Sequence, residues 1–135
     1  MNGKIHRATV TQADVNYVGS LTIDADLMDL ADILPYQEIH VLNVTNGQRM
    51  VTYAMTGERG SGVMCLNGAA ARHGRPGDII IVITYGHYET AEARVLKPKI
   101  VIVDEHNRAR DVWTTEAAQQ NGAQTFQSLA SFSPD

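Results

Sequence analysis

The sequence predicts a mainly β fold, a small closed or nearly closed barrel with short helices. Three observations carry this prediction. Short runs rich in β-branched residues recur along the chain, an Asn-Gly pair separates two of them, and a single stretch has a good amphipathic helix pattern. The runs cover residues 5–10, 21–23, 38–45, 48–55, 79–84 and 100–103. Between Val44 and Gln48 lies Thr45-Asn46-Gly47, and Asn-Gly between alternating runs signals a hairpin because both residues tolerate positive φ. That hairpin presents Arg49 to Tyr53 on its second strand. The helix is expected over 26–34, where Leu27, Leu30, Ala31 and Leu34 share one face, Asp24 caps the start and Pro35 ends it. Many short strands joined by Gly-rich connections favour closure, which removes exposed edges. From Thr114 onward the composition turns to Gln, Ser, Ala and Asn, so 1–113 reads as the domain and 114–135 as a polar, loosely held tail.

A chain of 135 residues has room for one core and no second domain. With 44% hydrophobic and 19% charged residues it is neither disordered nor membrane-spanning in composition, and no apolar run nears the ~20 residues of a spanning helix. The start, Met1 to Arg7, lacks the order of a secretion signal, so a cytoplasmic location is expected. The lone Cys65 permits no internal disulfide, in keeping with a reducing compartment. A net charge of -4 argues against nucleic acid as a partner.

Most candidate constellations have plainer explanations. The five histidines show no i, i+4 pairing, so no metal site is expected. Cys65 lies among Val63, Met64 and Leu66, which favours a core role over a nucleophile. Asp24 with Asp26, or Glu89 with Glu92, suits capping and surface roles better than an acid/base pair. Gly57 to Gly62 lacks the Lys-Ser/Thr ending of a phosphate loop and reads as a flexible turn. Gly19-Ser20 is the exception through its surroundings, since the same dipeptide recurs at Gly60-Ser61 without them. Backbone cleavage before a serine needs a glycine that accepts strain, a hydroxyl to attack its carbonyl, and donors for the oxyanion.

Lys4-Ile5-His6-Arg7, Asp14, Tyr17-Val18-Gly19-Ser20 and Thr22-Ile23-Asp24 resemble the start of the pyruvoyl-dependent aspartate 1-decarboxylases. The resemblance continues through Asn46-Gly47, Arg49, Thr52-Tyr53, Gly57 to Ser61, Asn67 to Ala71, Pro76-Gly77-Asp78 and Pro98 to Asp104, covering about residues 4 to 107. It implies a six-stranded double-psi β-barrel, a homotetramer with active sites between subunits, and cleavage at Gly19-Ser20. The β-chain would be residues 1–19 and the α-chain 20–135, with Ser20 converted to a pyruvoyl group. That group makes external cofactors unnecessary, so neither metal nor pyridoxal phosphate is expected. The implied reaction is conversion of L-aspartate to β-alanine and carbon dioxide in pantothenate biosynthesis.

Site roles follow from the same resemblance. Ser20 supplies the electrophile, Thr52 bonds the cleavage oxyanion and later the substrate, and Tyr53 reprotonates the carbanion. Arg49 holds a substrate carboxylate, while Lys4 and His6 add positive charge near the second one. Asn67, Gly68, Ala69 and Ala70 bring backbone donors and small side chains against the substrate, and Tyr17 packs at the cleavage loop. Three features depart from the family: a short amino terminus, Arg72 where histidine is common, and an aromatic stretch from Tyr85 to Tyr88. They motivate two other readings, the same pyruvoyl chemistry on a different amino acid, and a barrel that never cleaves and serves in binding.

Overall fold

The computed structural model describes residues 1–116, so the expected tail beyond Glu116 lies outside the described residues. The fold is mainly β with short helices, as expected. Nine strands form one ladder: β1 (Gly3–Thr9), β2 (Gln12–Asp14), β3 (Leu21–Asp24), β4 (Glu38–Asn43), β5 (Arg49–Gly57), β6 (Met64–Asn67), β7 (Ile79–Thr84), β8 (Lys99–Val103) and β9 (Ala109–Trp113). Their order is β2-β6-β3-β5-β4-β7-β1-β8-β9, and no ladder joins the two end strands. All six expected runs are strands. The unforeseen β2, β6 and β9 are short and poor in β-branched residues, and pairing with longer neighbours holds them extended.

Alternation buries one face of this ladder. Ile5, Leu21, Ile23, Ile39, Ala54, Met64, Ile80 and Val101 are fully buried in one cluster. β1 carries a bulge: Ile5 faces Val82 and Ala8 faces Ile80, so His6 and Arg7 together oppose Ile81. Arg7 takes a φ of 63°, and this extra residue keeps Ile5 and Ala8 both inward. The hairpin forms at Asn46-Gly47, but only Gly47 takes positive φ, at 80°. Asn43 closes the turn by accepting from the N–H groups of Thr45 and Asn46 at 2.9 and 3.1 Å.

Helix α1 (Ala25–Ala31) starts where expected and stops earlier. Asp24 caps it by accepting from Asp26 N at 2.8 Å. Its end is set by Asp32 in the left-handed region, with Ile33 N donating to Met28 O at 2.8 Å, rather than by Pro35. This earlier stop turns Ile33 into the core, and the buried face is Leu27, Met28 and Ala31, leaving Leu30 and Leu34 exposed. A second helix, α2 (Thr90–Val95), buries none of its residues.

The loop 58–62 is a turn, as expected, and it is organised around Asp24. The Asp24 carboxylate, 2% exposed, accepts from Gly60 N at 3.0 Å and Gly62 N at 2.8 Å as well as from Asp26 N. Burial alone would raise its pKa, but the N–H groups of Gly62, Gly60 and Asp26, with the charge of Arg108, outweigh it and hold the carboxyl below its ordinary value. One carboxylate thereby joins the end of β3, the first turn of α1 and the approach to β6. Asp24→Ala should cost about 2–4 kcal/mol in urea unfolding at neutral pH, because three donors lose their acceptor. A depressed folded pKa means that this stability is present above the unfolded carboxylate pKa and disappears as pH falls through the folded one. The gap between wild type and variant should close in acid; a gap independent of pH would contradict this role.

Candidate active site

The site is built by strand register. β3 is paired on both sides, parallel to β5 with Leu21 opposite Ala54, and antiparallel to β6 with Leu21 opposite Leu66. Carrying the parallel register back sets Ser20 alongside Tyr53 and Gly19 alongside Thr52. On the other side Asn67 N donates to Ser20 O at 2.8 Å. The next pair is equally close: a methyl built on Gly68 would lie 3.5 Å from Gly19 O and 3.2 Å from Tyr17 O. Gly19-Ser20 is therefore held between Thr52-Tyr53 and Asn67-Gly68.

Gly19 has a φ of +105°, a conformation that L side chains rarely adopt, and a methyl there would meet Met55 Cγ at 3.0 Å. Ser20, next to it, is buried. A cleft of about 330 Å³ opens over this junction, lined by Gly19, Ser20, Thr52, Tyr53, Asn67, Ala69 and Ala70 among the expected residues. Tyr53 is 38% exposed and its ring stacks on Tyr36 with centroids 6.4 Å apart. Asn67 is buried, its Nδ2 donating to Thr22 Oγ1 at 2.8 Å and its Oδ1 accepting from Cys65 Sγ at 3.0 Å. Gly68–His73 forms a 3-10 helix, in which residues three apart eclipse. Ala70 and His73 consequently reach the same cleft.

Met50, Val51 and His73 line the cleft without having been singled out as site residues. The first two follow from the strand that carries Thr52 and Tyr53. His73 is reachable only through the 3-10 turn, and Gln48 Oε1 sits 2.8 Å from its Nδ1. The neighbouring Arg72 is exposed and does not line the cleft. Tyr85 packs edge-on against His40 at 5.0 Å, and the Tyr88 hydroxyl bonds Asn2 Oδ1, so neither ring reaches the cleft. Tyr17 meets the site through its backbone, and its ring is exposed.

Two expected residues, Lys4 and His6, lie apart from the cleft within one chain, and a third, Arg49, borders it without being in its lining. Lys4 and His6 are on β1, three strand spacings or roughly 14 Å from β5 along the ladder. Arg49 borders the cleft, next to Met50 on β5 and four residues, roughly 13 Å, from Tyr53. Lys4 Nζ is 2.6 Å from the Glu116 carboxylate. The expectation that His6 adds positive charge is corrected. Burial first, then the nearby charges of Lys4 and Arg7, lower its pKa to about 4 despite Glu116, so its imidazole is neutral at neutral pH.

The cleft gathers a glycine at positive φ, a buried serine, a hydroxyl, a phenol and an amide around Gly19-Ser20, groups suited to an enzyme active site. The sequence model of the aspartate decarboxylase family matches residues 1–110, and the chain belongs to that family. It is 52% identical over 118 residues to the aspartate 1-decarboxylase of Listeria monocytogenes serotype 4b, covering 87% of this chain and 93% of that protein. Against the aspartate 1-decarboxylase of Listeria innocua serovar 6a the identity is 51% with the same coverage.

The lowered His6 pKa is directly measurable. Its imidazole C–H resonances should titrate with a midpoint at about 4. Because the folded value lies below the unfolded 6.5, its contribution to stability is present above 6.5 and is lost as pH falls toward 4. A midpoint above 6 would contradict the burial argument.

Proposed function

We propose that this chain is a self-processing, cytoplasmic decarboxylase that converts L-aspartate to β-alanine and carbon dioxide for pantothenate synthesis, using a pyruvoyl group derived from Ser20. The observation that carries this reading is the two-sided hold on Gly19-Ser20, supported by family membership and by the activity named for the Listeria relatives. Ser20 Oγ attacks the Gly19 carbonyl carbon, the bond to Ser20 N breaks, and the peptide becomes an ester. Thr52 and Asn67 supply donors to the oxyanion. Elimination releases the Gly19 carboxylate, and water then displaces ammonia. The products are chains 1–19 and 20–135. The buried position of residue 20, beside a cleft that combines the polar groups of Thr52, Tyr53 and Asn67 with the small Ala69 and Ala70, fits a pyruvoyl group. When formed, the ketone supplies an electrophile for the substrate amine and accepts the electron pair left as carbon dioxide departs.

The chain's own residues do the rest. Tyr53 donates a proton to the carbon that lost carbon dioxide, and Tyr36 braces its ring. Ala69 and Ala70 leave room for the substrate, with Gly68 keeping the backbone close to Gly19. Arg49 and Lys4 bind carboxylates, and neutral His6 contributes hydrogen bonds. The distance of Lys4 and His6 from the cleft within one chain favours their delivery by a neighbouring copy, as in a homotetramer with sites between subunits. The exposed Val51, Tyr53 and Tyr36 beside the cleft give such a contact apolar surface.

The same reading extends to the barrel. Only Val10-Thr11 separates β1 from β2, and Thr11 N donates to Met64 O at 2.8 Å. Taken as one bent strand, β1 with β2 links β7 to β6, so β1/β2, β6, β3, β5, β4 and β7 make a six-membered ring with β8 and β9 outside it. This supports a double-psi barrel.

Two variants separate the two reactions. Ser20→Ala should fold, stay a single chain and release no carbon dioxide from aspartate. Tyr53→Phe keeps the ring and should cleave normally, yet decarboxylate about 10²–10⁴-fold more slowly on material with a full pyruvoyl content by mass. Cleavage of the alanine variant removes Ser20 from its role, and wild-type turnover by the phenylalanine variant removes Tyr53 from its own.

A further inference from the structure

Asn67 is held at both ends of its amide. Thr22 Oγ1 accepts from Nδ2 at 2.8 Å, and the Cys65 thiol donates to Oδ1 at 3.0 Å. Both partners come from paired strands: Thr22 of β3 faces Cys65 of β6 in the antiparallel register. Nδ2 is the amide atom beside the cleavage junction, 3.7 Å from where a Gly19 methyl would sit. A flipped amide would turn an acceptor toward Gly19, whose carbonyl oxygen gathers negative charge as Ser20 attacks.

We propose that Cys65 and Thr22 are positioning residues for self-cleavage, fixing the sense of the Asn67 amide so that its N–H edge faces the Gly19 carbonyl. The inference rests on the reading of Gly19-Ser20 as the cleavage site. Thr22 supplies the acceptor for Nδ2 and Cys65 the donor for Oδ1. The thiol is the better donor than acceptor and favours Oδ1 on its own side. Burial, and then the charge of Asp14, raise the Cys65 pKa and keep the proton on sulfur. Cys65 therefore acts through its hydrogen, and its packing in the core is a separate contribution.

The two roles are separable by substitution. Freshly purified precursor is followed by intact mass for the half-time of cleavage, with the thermal midpoint measured in parallel. Cys65→Ala should cleave about 2- to 10-fold more slowly than wild type, in line with the loss of one hydrogen bond. Cys65→Ser, which keeps a donor, should cleave within twofold of wild type whatever its thermal midpoint. Thr22→Val, close in size and lacking the acceptor, should also slow cleavage, and Thr22→Ser should restore it. The threonine pair carries the test if Cys65→Ala fails to fold. Equal half-times for wild type and the donor-less variants, or a serine variant as slow as alanine, would overturn the positioning role. A wild-type chain that never cleaves would instead overturn the reading of Ser20, and this inference with it.

Discussion

The double pairing of β3 is the constraint on which the site depends. A strand paired on one side can slip by a residue, which would swap every side chain between core and solvent. β3 is locked by a parallel ladder to β5 and an antiparallel one to β6, with Leu21 and Ile23 fully buried between them. Its preceding residues have no freedom left. Gly19-Ser20 lies between Thr52-Tyr53 and Asn67-Gly68, and the chain enters β3 through a positive φ at Gly19 that L side chains rarely adopt.

Asp24 secures the other end of the same strand. Its carboxylate gathers donors from α1 and from the loop before β6, so the segment that carries Asn67 is tied to the segment that carries Ser20 at both ends. Between those ties, the amide of Asn67 is oriented by Thr22 and Cys65. A reactive peptide bond needs this arrangement, since donors must already stand where charge develops. Mobility there would forfeit the preorganisation.

Much of this was legible in the sequence. The Asn-Gly turn located β5 and with it Thr52 and Tyr53, and runs rich in β-branched residues located β1, β3, β4, β7 and β8. The strand β6 was not legible because Met64-Cys65-Leu66-Asn67 has no β-branched residue and is extended only through its partner. The end of α1 was misjudged because a left-handed Asp32 does the work that Pro35 seemed suited to. Charge on His6 was misjudged because burial and neighbouring cations are tertiary facts. The carboxylate-binding roles expected of Arg49 and Lys4 come from family resemblance alone, and the separation of Lys4 from the cleft follows from strand order, which no local pattern encodes.

The central claim is that Ser20 loses its amine and becomes a ketone. Intact-mass measurement of the purified wild-type chain under denaturing conditions tests this most directly. The account predicts two fragments, residues 1–19 and 20–135, whose masses sum to that of the precursor plus one water minus one ammonia. A single uncut chain, or two fragments that sum to the precursor plus one water, would contradict it.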